Sequence, residues 1–179
     1  MSEELEIRLP RVDDEPGVRA AQAELAEDDF EFGFFLDDTP DFAAWVERCA
    51  AGARGERLEP GWVRNSVLLG LVDGQVVGRV SVRHELNARL RADGGHIGYG
   101  VRPGFRGHGH AAALLEHALD LLASEGVAEA MVVAHEDNEA SRRIIERAGG
   151  VLDGTDARPP KRGDGEADPG YLRFWIDLT

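Results

Sequence analysis

Cysteine and lysine are almost missing from this chain: there is one of each, Cys49 and Lys161, against 19 arginines. A lone cysteine excludes an intramolecular disulfide and a cysteine-built zinc cluster. The arginine excess reads as coding bias, since no functional need for a rigid guanidinium fork applies at every position. No stretch approaches the roughly 20 apolar residues that span a bilayer. The opening Met1-Ser2-Glu3-Glu4 is acidic where a secretory signal needs positive charge. A cytoplasmic protein with no membrane partner is therefore expected. Net positive charge is missing as well. With 34 acidic and 20 basic side chains the formal net charge is −14, which gives no basis for non-specific binding to nucleic-acid phosphates. Residues 1–60 carry 17 acids and 6 bases, and the remainder 17 and 14. That acidic first part is compatible with a cationic substrate and equally with plain solubility.

What is present suits one core. At 179 residues and 42% hydrophobic, the chain fits a single domain over 1–179. Glu4–Leu9 alternates apolar and polar side chains and predicts a first strand. Asp13-Asp14-Glu15-Pro16 is a helix start, with acids at the positive end of the dipole and proline in the first turn, for a helix to about Glu27. Phe30–Phe35 is an aromatic loop rimmed by Asp28, Asp29, Asp37 and Asp38. A second helix is predicted from Asp41 to about Ala53, then a connector rich in Gly and Arg. Ser66–Val72 and Gln75–His84 are β-rich runs joined by Asp73-Gly74, a two-residue hairpin turn needing positive φ at both positions. Gly94–Val101 is a further strand.

From Gly109 on, Ala111, Leu114, Leu115, Ala118, Leu119 and Leu122 form one apolar helix face, ended by Gly126. Strand Ala128–Ala134, helix Asn138–Ala148, short strand Val151-Leu152, loop Ala157–Gly170 and strand Tyr171–Leu178 complete the pass. The hairpin forces antiparallel pairing, whereas strand–helix–strand over 94–134 implies a right-handed parallel crossover. The expected class is α+β, a mixed sheet with helices on both faces.

The most informative stretch is Val101-Arg102-Pro103-Gly104-Phe105-Arg106-Gly107-His108-Gly109-His110-Ala111, between a strand and the amphipathic helix. Glycines at 107 and 109 permit a sharp turn and close approach of a ligand, and the unpaired N–H groups of the helix's first turn suit a pyrophosphate. A nucleotide-hydrolysing loop needs Gly-Lys-Ser/Thr where this chain has Gly-His-Ala, and the dinucleotide fingerprint is absent. His108, His110 and His117 lack a carboxylate to complete a metal set, so no metal is expected.

Arg106-Gly107-His108-Gly109-His110-Ala111 resembles the R/Q-x-x-G-x-G/A signature of the GCN5-related N-acetyltransferases (GNAT), and Asn138 to Gly150 resembles that family's second motif, an Asn-opened helix ending in Glu-x-x-Gly. The resemblance covers about residues 5–178. It implies a mostly antiparallel sheet splayed between two strands, and acetyl-CoA as co-substrate. It implies pyrophosphate on the amides of Arg106, Gly107, His108, Gly109, His110 and Ala111. Pantetheine would run along Tyr99, Gly100 and Val101, with Asn138, Ser141, Arg142 and Arg143 in reach of the cofactor. Asn138 also suits a plain N-cap, and Arg142 and Arg143 a solvated helix face.

Acetyl transfer to an amine needs a neutral amine, a polarised carbonyl and a proton for the thiolate. Glu85, His96 and His135 are the candidate bases. Period-two alternation sets His96 on the face of Gly98 and Gly100, expected to open on a substrate cleft; where it stands, relatives often carry a glutamate. Glu85 pairs equally well with Arg83 on the surface. The family's usual tyrosine on the Asn-opened helix is Ile145 here, leaving Tyr99 or Tyr171 as candidate acids. The leading reading is an N-acetyltransferase transferring directly, in a ternary complex, to a small amine. The acid-rimmed aromatic loop suggests a cationic acceptor, and a homodimer is compatible. A non-catalytic acyl-CoA sensor, or an enzyme acting on protein amines, are the alternatives.

Overall fold

The computed structural model describes residues 4–153 and 170–179; the loop expected over 157–170 lies, except for Gly170, outside them. Strand β1 (Glu6–Arg8) leads through a 3-10 turn into helix α1 (Glu15–Ala26). Helix α2 (Phe42–Ala53) begins where Asp41 accepts the Ala44 N–H at 2.8 Å, the cap that its sequence offers. Strands β2 (Asn65–Val72) and β3 (Gln75–Arg83) then form the expected hairpin. Asp73 and Gly74 have φ of 49° and 77°, the left-handed pair this turn demands. A short helix α3 (Ala88–Ala92), absent from the sequence reading, precedes β4 (Ile97–Val101). Strand β4 starts three residues later than expected, because Gly94 and Gly95 take positive φ and turn the chain.

Helix α4 (His110–Ser124), β5 (Glu129–His135), α5 (Glu139–Arg147), β6 (Val151–Leu152) and β7 (Tyr171–Asp177) follow. The described residues form a seven-stranded sheet in the order β1-β2-β3-β4-β5-β7-β6. Neighbours pair antiparallel except β4 with β5. Those two strands share one registered pair, Ile97 with Val132, and then part. The mixed, splayed sheet expected from the resemblance is the one observed.

Alternation along the strands divides the core in two. Leu68, Val80, Val82, Ile97 and Val132 face α4 and α5, where Leu114, Leu115, Ala118, Leu122 and Ile145 are buried. Val67, Leu69, Leu71 and Val76 face the other way, onto Val18, Ala21 and Leu25 of α1 and Trp45 of α2. Each fully buried aliphatic side chain contributes about 1.5–3 kcal/mol of transfer free energy, so the two apolar faces fix both helical layers.

Two polar connections reinforce this packing. His84 bridges the Ser66 hydroxyl (Nε2, 2.8 Å) and the Glu125 carboxylate (Nδ1, 2.6 Å), tying the end of α4 to the β2–β3 hairpin. Burial alone would raise the Glu125 pKa, but the bonds from His84 and Arg64 bring it below the usual carboxylate range. Ser66 is only 6% exposed, so this hydroxyl–imidazole–carboxylate chain acts as a staple rather than a nucleophile.

The second is Arg79, 2% exposed on β3. Its Nε donates to the Phe32 carbonyl at 3.0 Å and another nitrogen donates to that of Glu31, while the guanidinium lies 4.3 Å from the Phe30 ring centre and 4.7 Å from that of Phe34. Burial, reinforced by the nearby Arg83 charge, lowers its pKa to about 9. Arg79 therefore pins the aromatic loop to the sheet. Replacing Arg79 with Ala leaves a cavity and two bereft carbonyls, and is expected to cost roughly 2–4 kcal/mol in urea unfolding.

Candidate active site

The site grows from the divergence of β4 and β5. In the β3–β4 ladder the Arg83 N–H donates to the His96 carbonyl (2.7 Å) and the Arg102 N–H to that of Val77 (2.8 Å). These bonds fix the alternation: the backbone groups of Gly98 and Gly100 meet β3, and those of Tyr99 and Val101 face β5. Since β5 has already veered away, the amides of Tyr99 and Val101 open onto the gap. A ligand of extended shape can complete the ladder there.

At one end of the gap lies the glycine turn. Gly107 and Gly109 have φ of 83° and 81°, and a Cβ built on either meets nothing within 4 Å. Gly109 caps α4 with no side-chain hydrogen bond, so the first amides of α4 receive no side-chain partner at that end. The turn is held from behind: Arg106 donates to the Val101 carbonyl at 3.1 Å and pairs with Asp28 at 2.7 Å. Arg102 grips Glu24 of α1 through two bonds of 2.9 and 2.7 Å. Outward amides, left-handed glycines and the positive end of a 15-residue helix make an anion cradle. His108 and His110 stack with ring centres 5.9 Å apart beside it. Among the described residues no three His, Cys, Asp or Glu side chains are grouped to hold a metal ion.

On the far side of the gap stands α5. Asn138 caps it, its Oδ1 accepting the Ser141 N–H at 3.1 Å. The Ser141 hydroxyl lies 2.7 Å from that of Tyr99. This bond crosses from β4 to α5 and sets a phenol one helical turn from position 145. Ile145 itself is fully buried in the core, and so offers nothing to the gap. Burial raises the Tyr99 pKa, with the Ser141 bond opposing it, and the phenol keeps its proton at neutral pH. Arg142 donates to the Glu136 carbonyl at 3.0 Å, while its buried Nε has no partner. Arg143 is exposed and pairs with Glu139 at 3.3 Å.

The candidate bases separate. His96 does not look into an open cleft, as its glycine-flanked strand suggested. Its side chain is 5% exposed, and Nδ1 accepts the Met131 N–H at 2.9 Å. In the neutral ring Nε2 then carries the proton, leaving no lone pair for an amine. Burial, with Arg91 and Arg83 adding, lowers its pKa to about 4. The glycines serve other neighbours: a Cβ at Gly100 would lie 2.7 Å from the Phe30 ring, and one at Gly98 would lie 3.3 Å from the Ser81 hydroxyl. Glu85 is exposed beyond β3 and makes no ion pair with Arg83, whose NH1 donates instead to the Gly94 carbonyl at 3.0 Å. His135 ends β5, half-buried, with its ring centre 4.0 Å from that of Tyr171.

A cleft missed by the sequence reading opens on the α1–α2 side of the sheet. It is lined by Phe34, Trp62, Asn65, Ser81, Arg83 and Arg89 among others, with a cavity volume of about 30 Å³. Its charged groups are arginines. The acids expected to rim the acceptor pocket, Asp28, Asp29, Asp37 and Asp38, are exposed and none lines this cleft. The overlooked signal was Arg79-Val80-Ser81-Val82-Arg83, polar at every second position in a strand covered on both faces.

The family comparison agrees with the fold. The Acetyltransferase (GNAT) family profile matches residues 21–150, and the chain belongs to that family of acetyltransferases. Its fold is similar to that of ribosomal-protein-S5-alanine acetyltransferase from Vibrio fischeri (16% identity, 97% of this chain and 93% of that one, TM-score 0.70). It is also similar to yncA from Salmonella typhimurium, solved with its cofactor acetyl-CoA (17%, 98% and 94%, TM-score 0.63). A third similar structure is RimL, a ribosomal L7/L12 alpha-N-protein acetyltransferase in complex with coenzyme A (16%, 98% and 96%, TM-score 0.64). No curated protein sequence matches the chain. No described helix is long and apolar enough to cross a membrane.

His96 generates a stability prediction. The unfolded imidazole, near 6.5, takes up a proton that the folded one, near 4, refuses. This contribution is therefore present above pH 6.5 and fades as the pH falls toward 4. From pH 7.5 to 5 it is expected to remove about 2 kcal/mol in urea unfolding. His96→Asn, which can still accept the Met131 N–H, is expected to lack this part of the pH dependence.

Proposed function

We propose that the chain moves an acetyl group from acetyl-CoA directly to the primary amine of a small acceptor, both held together in a ternary complex. The observation that carries this reading is the gap between β4 and β5, with the Gly107–Gly109 turn at one end and the Tyr99–Ser141 hydroxyl pair on its wall. The residues fit such a donor: cradle space stands open where side chains would fill it, and Arg142 has a buried, unpartnered nitrogen for an anionic group. The amides of Arg106 to Ala111 hold the pyrophosphate, and those of Tyr99 and Val101 align the pantetheine arm. Asn138 and Ser141 line the same wall, and Arg142 and Arg143 reach phosphate oxygens.

Acetyl-CoA supplies an electrophilic thioester carbonyl and a thiolate leaving group. A β4 amide polarises the carbonyl oxygen. Tyr99 gives its proton to the departing sulfur and recovers it by way of the Ser141 hydroxyl and solvent. This phenol does from β4 what the family tyrosine does from the helix. His135, just beyond the residue abreast of Tyr99 in the parallel register, takes the amine's proton toward solvent.

Tyr99→Phe is expected to lower kcat by about 10–100-fold in a thiol-release assay, in the range of lost acid catalysis, with the KM for acetyl-CoA changed less than about threefold. An unchanged kcat would remove Tyr99 from the reaction. Gly107→Val should strain a left-handed position and fill the cradle, raising the calorimetric Kd for acetyl-CoA by about tenfold or more. Unchanged affinity would place the phosphates elsewhere.

A further inference from the structure

The charge of the cleft beside Phe34 and Trp62 is opposite to that of the protein. In a chain of net charge −14, the ionisable side chains lining this cleft are Arg83 and Arg89, with Arg79 buried alongside. Arg83 leans on backbone only: its NH1 donates to the carbonyls of Gly94 (3.0 Å) and Gly95 (3.4 Å). Among the described residues neither Arg83 nor Arg89 has a carboxylate within ion-pair distance; Asp93 acts on Arg83 only from farther away. Burial and the charge of Arg89 both press the Arg83 pKa downward, as happens to a cation lacking its counterion. The other walls include the Phe34 and Trp62 rings, which meet edge to face at 5.8 Å, the polar Ser81 and Asn65, and Val63 and Leu90.

The cleft also adjoins the reacting strand. A Cβ built on Gly98 would lie 3.3 Å from the Ser81 hydroxyl and 3.8 Å from Arg83 NH1. A group bound to Arg83 thus sits beside β4, within a few bonds of an amine presented to the gap. The cavity volume of about 30 Å³ admits a head group of carboxylate size and little more.

Building on the transferase reading above, we infer that the acceptor is a small amino acid-like molecule whose own carboxylate docks on Arg83 and Arg89. The cleft gives this arrangement a chemical advantage. A carboxylate neutralised by arginine no longer raises the pKa of its neighbouring ammonium, and the surrounding positive charge lowers it, so the amine loses its proton more readily before attack. The nitrogen then forms its bond to the acetyl carbon as the carbon–sulfur bond breaks, and its excess proton passes to His135 and on to solvent. The thiolate takes a proton from Tyr99, which solvent restores through Ser141.

The test compares matched acceptors by thiol release from acetyl-CoA: a panel of amino acids, their carboxamides and their decarboxylated amines. Amino acids are expected to exceed their uncharged partners at least tenfold in kcat/KM. Arg83→Gln should bring that ratio close to one, and Arg89→Gln, at an exposed position, should reduce it about threefold. Arg83→Lys should retain part of the preference. Calorimetry with acetyl-CoA on each variant serves as the check of folding and donor binding. Equal or better transfer to the amides or amines, or a ratio untouched in both arginine variants, overturns the inference while leaving the transferase intact. Donor binding with turnover of protein N-termini alone does the same. Failure to bind acetyl-CoA at all overturns both readings.

Discussion

One lock decides the architecture of the site: His96 fastens the start of β4 to β5. Its backbone N–H donates to the Met131 carbonyl at 2.8 Å, and its ring returns the Met131 N–H. Gly95 beside it packs so tightly that a Cβ would lie 2.5 Å from the same carbonyl. Joined here and at Ile97–Val132, the two strands have no further registered pair, and the amides of Tyr99 and Val101 are left to bind something other than β5. A parallel ladder continued to the strand ends would satisfy these groups internally and close the gap. The buried imidazole is thus a condition of the gap between the two strands.

Charge is distributed with equal consequence. The acids of the first 60 residues are largely spent on the outside or on holding structure: Glu24 secures Arg102, Asp28 secures Arg106, and Asp14 accepts Arg8 at 2.8 Å. Arginines on β3 point the other way, into the interface between the sheet and the aromatic loop. Arg79 is held by carbonyls and rings, and Arg83 is left with carbonyls alone. The loop therefore contributes an aromatic ring, Phe34, to the cleft, while the positive charge there comes from Arg83 of β3 and Arg89 of α3.

Several features were legible in the order of residues. The Asp73-Gly74 hairpin, the Asp41 and Asn138 caps and the apolar face of α4 are local signals, set by backbone sterics and helical period, and the structure carries each of them. The glycine turn was equally readable, because positive φ and unpaired amides are properties of the chain within a few residues. By contrast, α3 and the late start of β4 were not anticipated: a five-residue helix has little periodicity to detect, and Gly94-Gly95 looks like strand until its φ values are known.

The sequence by itself determined the family, the order of elements apart from α3, and the glycine turn, since these rest on motifs whose physics is local. Only the tertiary structure decided where His96, Tyr99 and the β3 arginines sit and what they touch. Period two says that His96 and Gly98 share a face, but not that Phe30 covers Gly100 or that Met131 occupies the imidazole lone pair. The Tyr99–Ser141 contact joins residues 42 apart, and the Arg79–Phe32 contact residues 47 apart. Such meetings depend on how two layers of helices close over one sheet, which no spacing along the chain encodes.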